Sequence, residues 1–193
     1  MNMKKWIWIV VIAVAAVFLY VNYNGFVTKE EAVKTAWSKV ETQYQRRADL
    51  IPNLVNTVKG YATHESATLQ GVVEARAKAS SMVLSVDHMT PETLAAYGQA
   101  QSEVRSALGR LLAVAENYPD LKANQNFLEL QAQLEGTENR IAVARTDFNE
   151  AAQRYNVAVR RFPANLVAGL FGFERKPYFE AAEGAATAPE VAF

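Results

Sequence analysis

The chain has 193 residues, half of them hydrophobic, which is the size and composition of one domain with a sizeable core. Its 20 Lys and Arg balance its 20 Asp and Glu, so no global basic surface exists to attract nucleic acid, which is not an expected partner. With no Cys, disulfide frameworks, thiolate catalysis and Cys-based zinc sites are excluded.

Residues 1–5 form a short flank that carries Lys4 and Lys5. Trp6 to Val21 follows as an unbroken apolar run, WIWIVVIAVAAVFLYV. As a helix it spans about 24 Å, a little under a hydrocarbon core of about 30 Å. Met3, Tyr23, Phe26 and Val27 can extend it. We therefore predict a membrane anchor over residues 6–23, with Trp6, Trp8, Val10, Val14, Phe18 and Tyr20 among its lipid-facing and interfacial residues. A cleaved signal peptide is the competing reading, weakened because no small-x-small pattern follows the run. Lys4 and Lys5 abut the run and the next basic residue is Lys29. The positive-inside rule thus puts the N-terminus in the cytoplasm and residues 28–193 outside it, although Lys34 and Lys39 narrow the margin. The expected location is the bacterial inner (cytoplasmic) membrane, crossed once.

Asn22-Tyr23-Asn24-Gly25 reads as a turn-like joint. Thr28 to Glu31 matches a capping box opening a helix. Val33, Trp37, Val40, Tyr44, Arg47, Ile51, Leu54, Val58 and Tyr61 alternate spacings of four and three, which is one helix face. The pattern continues more weakly through Leu69, Val72 and Val73 to about Met82. Pro52 lies inside the stripe. It cannot donate to the carbonyl of Ala48, so one long helix bent near Pro52 is predicted. Ser85 to Met89 is a loop, and Thr90-Pro91 restarts a helix with Thr at the N-cap and Pro at the first position. Leu94, Tyr97, Val104, Leu108, Leu111 and Leu112 are its apolar side, and Asn117 to Asp120 ends it. A third long helix starts near Leu121. Its stripe runs from Phe127 to Phe162, with a gap of seven residues after Leu134 that contains Gly136. Pro163 stops it, and Ala164 to Phe171 reads as a short fourth helix. The expected fold is all-α: the transmembrane helix, then an antiparallel bundle of three long helices plus the short fourth (28–171), then an extended apolar tail (172–193).

Residues 36–65 read AWSKVETQYQRRADLIPNLVNTVKGYATHE. Residues 130–179 include LQAQLEGTENRIAVARTDFNEAAQRYN, FPANLVAGLFGF and KPYF. In these segments, and over almost its whole length, the chain resembles the LemA family. The resemblance implies a single-pass bacterial membrane protein with an extramembrane bundle of long helices. It supplies no reaction. Some relatives are encoded near membrane metallopeptidases, which implies a partner class.

The residues themselves offer little catalytic chemistry. His64-Glu65 begins like HExxH, but Thr68 stands where the second His is needed. His64 reads instead as a helix-surface residue. No nucleophile elbow, phosphate-cradling loop or dinucleotide fingerprint is present. We expect no catalytic, metal or cofactor-binding residues. Arg47 falls on the apolar stripe, where a charge needs a partner; Glu138, Asp147 and Glu150 of the third long helix are the candidates. Arg46 and Asp49 are three residues apart and are expected to pair along the helix surface. Arg154 and Tyr155 belong to a polar face on the third long helix that suits either solvent or a partner. Arg160 and Arg161, beside Phe162, are placed to reach lipid headgroups.

The tail carries Leu166, Val167, Leu170, Phe171, Phe173, Tyr178, Phe179 and Phe193, too many large apolar groups for a solvated segment. Packing on the chain's own bundle, on a neighbouring copy, or on the membrane are the competing uses. The residues expected to set register or contacts are Arg46, Arg47, Asp49, Pro52, Arg154, Tyr155, Phe171, Phe173, Tyr178 and Phe179. The functional expectation is a non-enzymatic, self-assembling scaffold or interaction protein of the bacterial cell envelope. Its expected partners are the lipid bilayer, further copies of itself and another membrane protein. The alternatives are an accessory subunit of a membrane enzyme such as a metallopeptidase, or a transmembrane signalling adaptor. The five residues before the run are too short for a cytoplasmic output domain, which disfavours the adaptor.

Overall fold

A computed structural model describes residues 3–180, and these are all-α. The elements are α1 (Met3–Lys59), α2 (Ser66–Ser80), α3 (Pro91–Ala115), α4 (Pro119–Lys122), α5 (Gln125–Arg160) and α6 (Ala164–Phe171), with a single 3₁₀ turn at Val86–His88.

The predicted joint at Asn22–Gly25 is absent. α1 runs unbroken for 57 residues, about 85 Å. The polar groups that suggested a turn and a cap bond back along the helix instead. Asn22 Nδ2 donates to Phe18 O (2.8 Å), Asn24 Nδ2 to Tyr20 O (2.8 Å) and Thr28 Oγ1 to Asn24 O (2.9 Å). Short polar side chains choose between capping and this i−4 bonding, and here a continuous helix wins.

The other end of α1 corrects the sequence reading in the opposite direction. The helix predicted to reach Met82 stops at Lys59, and Gly60 to Glu65 reverses the chain. The stripe is buried from Val33 to Val58, and Arg47 with it, while Tyr61 falls in the reversal and is exposed. Ala62 fills the turn, wholly buried. The reversal folds α2 onto α1 and brings Leu69, Val72 and Ala79 into the same core as Ile51, Leu54 and Val58. A straight continuation would have left those residues in water, and burying one such side chain gains about 1.5–3 kcal/mol. The bundle therefore has four main helices rather than three.

Their directions follow from cross-contacts. Trp37–Phe148, Arg47–Glu138 and Tyr61–Asn124 run in opposite chain order, so α1 and α5 are antiparallel. Trp37–Tyr97, Arg47–Gln101 and Glu65–Tyr118 run in the same order, so α3 is parallel to α1, and α2 returns between them. Thr90 caps α3 as expected. Its hydroxyl accepts from Thr93 N while Thr93 Oγ1 accepts from Thr90 N. α5 begins at Gln125 under an Asn124 cap rather than near Leu121, which belongs to the one-turn α4. In the gap after Leu134 the core position is taken by Thr137, fully buried, whose hydroxyl is satisfied by Gln133 O at 2.7 Å.

The core has two apolar clusters. One joins Phe26, Trp37, Tyr44, Tyr97, Phe148 and Tyr155 to α6 and Phe179. The other joins Ile51, Val58, Val72, Leu108, Leu121 and Phe127. Between them, at matching heights on α1, α3 and α5, lie Arg47, Gln101, Thr137 and Glu138. The chain therefore stacks two cores across one polar layer.

Candidate interaction site

The polar layer centres on Arg47, a residue only 2% exposed. Its Nη1 donates to Glu138 Oε1 at 2.8 Å; its Nη2 donates to Gln101 Oε1 at 2.6 Å and Gln101 O at 3.0 Å. The guanidinium also lies 5.3 Å from the centre of the Tyr44 ring. A buried charge is tolerated only with partners of this kind, and Arg47 ties together three helices. Beside it a cleft of about 160 Å³ opens between α1, α2 and α3, lined by Glu41, Tyr44, Arg47, Arg76, Tyr97 and Gln101 among others. Burial pushes the Tyr97 phenol up to about 12 and raises the Tyr44 phenol as well, so both are neutral hydrogen-bonding groups at neutral pH. Among the described residues, Glu41 is the one carboxylate lining this cleft. Paired carboxylates for general acid–base work would need a second.

Pro52 sits on the exposed side of α1, one turn beyond Ala48. From α2, Arg76 Nε reaches the Ala48 carbonyl at 2.7 Å. Arg46 is exposed and does not hold Asp49, whose carboxylate accepts from Gln45 Nε2 at 2.7 Å. The i, i+4 spacing of Gln45 replaces the expected Arg46 pair. Arg154 is likewise exposed and pairs with Glu150, four residues back on α5, at 3.3 Å. Tyr155, by contrast, is wholly buried, and its hydroxyl has no partner among the described residues. Burial, then the charges of Glu30 and Glu174, raise its phenol above the ordinary range.

The segment after α6 is an extended strap laid back along α1 and α5. Gly172 turns the chain at φ 75°, which its lack of Cβ permits. Phe173 packs on Tyr23 and Phe26, with centroids at 5.5 and 5.2 Å. Lys176 Nζ pairs with Glu30 at 2.8 Å and lies over the Tyr155 ring at 5.8 Å. Phe179 enters the core between Trp37 and Phe148, at 5.9 and 5.5 Å, with Arg145 over its outer face at 4.4 Å. Two α5 asparagines hold the strap's backbone. Asn156 exchanges hydrogen bonds with Lys176 N and O (2.9 and 2.8 Å), and Asn149 with Phe179 N and O (2.8 and 2.9 Å). The sequence places Asn156 with Arg154 and Tyr155 on a polar face of this helix and does not distinguish Asn149; it assigns the strap to neither, because Lys176 and Phe179 lie 20 and 30 residues away. Tyr178 is half-exposed, and Phe171 meets Tyr23 in an edge-to-face pair with ring centroids 5.0 Å apart, half of its own surface exposed. Of the three uses weighed for the tail, Phe173 and Phe179 take the first, packing on their own bundle. The rest of the predicted tail, including Phe193, lies outside the described residues.

Trp6, Trp8, Val10, Val14 and Tyr20 are exposed on α1, and Phe18 is partly covered where α6 approaches. This is the one described helix apolar enough to cross a membrane, and none of its apolar window is buried against protein. His64 lies exposed in the α1–α2 reversal rather than on a helix face, and His88 is exposed in the 3₁₀ turn. Among the described residues, no three His, Cys, Asp or Glu side chains converge as metal ligands.

Comparison with known proteins matches the LemA family over residues 36–193. The magnetosome protein MamQ 1 of Paramagnetospirillum magneticum is 30% identical over 179 residues, covering 84% of this chain and 66% of that protein. The magnetosome protein MamQ of Magnetospirillum gryphiswaldense is 31% identical over 179 residues, covering 83% and 65%. The protein LemA of Metamycoplasma hominis is 26% identical over 167 residues, covering 86% and 73%. The chain thus spans just under two thirds of the length of the MamQ proteins. None of these names denotes a reaction.

Proposed function

The chain belongs to the LemA family, and from that premise we propose that it is a membrane-anchored helical scaffold of the bacterial cell envelope that holds copies of itself or another membrane protein near the bilayer. The observation that carries the reading is the continuity of α1. One helix passes from an apolar segment with no buried residue in its most hydrophobic window into the middle of the bundle core, without a joint at Asn22–Gly25. An anchor on a flexible linker tethers a domain; an anchor that is also the bundle's central helix transmits position and tilt from the membrane to the bundle. On this reading α1 spans the inner membrane with its N-terminus cytoplasmic and the bundle outside.

The charged groups between the helices serve structure. Arg47 is satisfied by Glu138 and Gln101. On the open face between α2 and α3, Glu103 is held by Lys78, which keeps its carboxyl below the usual range, and Glu74 accepts from Gln70. Such groups bind and orient helices, and the exposed surface is left for partners.

In vivo crosslinking on native membranes, read by mass spectrometry, tests the proposal. Expected are crosslinks between copies, or to a membrane protein, from exposed bundle residues. Capture of nothing beyond intramolecular links and lipid would count against a scaffold. Mass photometry of the detergent-solubilised chain separates the two versions, because a strictly monomeric profile at every concentration removes self-assembly.

A further inference from the structure

We infer that α6 and the turn before it form a second membrane contact, whose outward face, built from Phe162 of the turn and Leu166, Leu170 and Phe171 of the helix, lies in the lipid interface beside the point where α1 leaves the bilayer. This rests on α1 spanning the membrane. The inner face of α6 is accounted for: Val167 and Ala168 are buried in the membrane-proximal cluster. Its outer face is not. Phe162, Leu166, Leu170 and Phe171 are 76, 65, 70 and 50% exposed. Elsewhere on the bundle the large exposed apolar residues, such as Val73, Leu128 and Val143, are separated along the chain. Soluble surfaces carry such single residues routinely, whereas a contiguous patch marks a binding surface.

The location of the patch identifies its occupant. Phe171 meets Tyr23 edge to face, and Phe18 and Leu19 pack partly on the same cluster as Val167 and Ala168. The helix therefore stands at the level of the last turns of the apolar run, and its outer face continues the lipid-facing surface of Trp6–Val21. Arg160 and Arg161, both exposed, immediately precede Phe162. A short helix with an apolar outer face and cations at its edge is what lies in a bilayer interface, the apolar side chains below the headgroups and the guanidinium groups among the phosphates. A second copy of the chain would cover the apolar side chains equally well, but it would not make use of their continuity with the lipid-facing run. With α1 as the only contact the bundle can tilt about its anchor. With α6 as well, one side of the bundle faces the bilayer.

The absence of native cysteine allows a direct test. The full chain, carrying a nitroxide at Leu166→Cys or Leu170→Cys, is reconstituted into vesicles of phosphatidylethanolamine and phosphatidylglycerol. Its collisions with oxygen and with a water-soluble nickel chelate are then compared by electron paramagnetic resonance. Val14→Cys, in the span, and Val143→Cys, on α5, are the lipid and water references. At Leu166 and Leu170 we expect a preference for oxygen that lies between the two references. A ratio like that of Val143, or spin–spin broadening between labelled copies without oxygen preference, or shielding from both reagents would overturn the inference. A water-like ratio at Val14 would instead remove the membrane-spanning reading, and α6 with it.

Discussion

Arg76 supplies the hydrogen bond that Pro52 withholds from Ala48. The imide nitrogen of Pro52 has no proton to give the carbonyl four residues earlier, and Arg76 Nε occupies that acceptor at 2.7 Å. A proline is thereby tolerated inside a 57-residue helix, and α2 is fixed in register against α1. Arg76→Met should destabilise the fold by about 1.5–3 kcal/mol, the usual loss when a bond to a charged donor is removed. In a Pro52→Ala background the new amide at position 52 satisfies the same carbonyl, so the loss from Arg76→Met should shrink by about 1 kcal/mol. Urea unfolding of the four detergent-solubilised species gives the coupling. Strict additivity would show that Arg76 does not compensate for the proline.

The polar layer makes a second test. Arg47→Ala removes the charge partner and leaves a cavity, and should cost about 3 kcal/mol. Arg47→Met fills most of that volume, and Glu138, with 28% of its side chain exposed, can turn to water. The cost should then be about 1–2 kcal/mol, chiefly from the stranded Gln101 side chain. Adding Gln101→Leu to Arg47→Met should recover most of it, as apolar replacement of buried polar groups often does. Equal, small losses for Ala and Met in thermal melts would place Arg47 in solvent.

Periodicity made the α1 stripe, the start of α3 at Thr90 and the short α6 legible, because each is a local pattern of apolar spacing or capping. It also turned Arg47 toward α5, where Glu138 meets it. What it did not decide were events in which local chemistry has two outcomes. Asn22, Asn24 and Thr28 suit a turn and cap or i−4 bonding within a helix equally well, and only the continuity of the surrounding apolar faces selects the second. Leu69 and Val72 keep nearly the same phase whether the chain runs on past Lys59 or folds back. The reversal at Gly60 is decided by burial against α3, which is remote in sequence. Asn149 and Asn156 looked like any polar positions on α5, since the backbone they hold arrives only after α6.

Alkaline pH should unfold the bundle through its buried phenols. Burial lifts Tyr97 to about 12 and raises Tyr44 and Tyr155 as well, while the same groups in an unfolded chain ionise near 10. The neutral phenols favour the folded state fully below pH 10, and that contribution is lost as the pH rises from about 10 toward 12. The slope is at most about 1.4 kcal/mol per pH unit for each tyrosine. A titration followed by phenolate absorbance and circular dichroism should show late-ionising tyrosines appearing together with loss of helix. Tyr97→Phe should make the stability curve less steep. Ionisation of every tyrosine near pH 10 with the helices intact would contradict the packing around Tyr97.

The strap fits α5 because two different rises agree. Asn149 and Asn156 are seven helical residues apart, about 10.5 Å, and the residues they hold, Phe179 and Lys176, are three extended residues apart, about 10 Å. Each asparagine therefore meets one whole peptide position with both its donor and its acceptor. Replacing Asn149 and Asn156 together with Ala should release the strap while leaving the four main helices folded, since those bonds run only to residues 176 and 179. Each loss strands backbone groups at a cost of about 1–3 kcal/mol, so amide exchange at Lys176 and Phe179 should accelerate at least about tenfold. Phe179 would then leave its place beside Trp37. In a Trp6→Phe, Trp8→Phe background the remaining tryptophan emission should shift to the red as water reaches the indole. Phe179→Ala should produce the same shift and lower global stability by about 3–4 kcal/mol, because it also empties the space between Trp37 and Phe148. Unchanged exchange and emission in the double asparagine variant would mean that the strap is held by Phe173 and the Lys176–Glu30 pair, with the asparagines contributing nothing measurable.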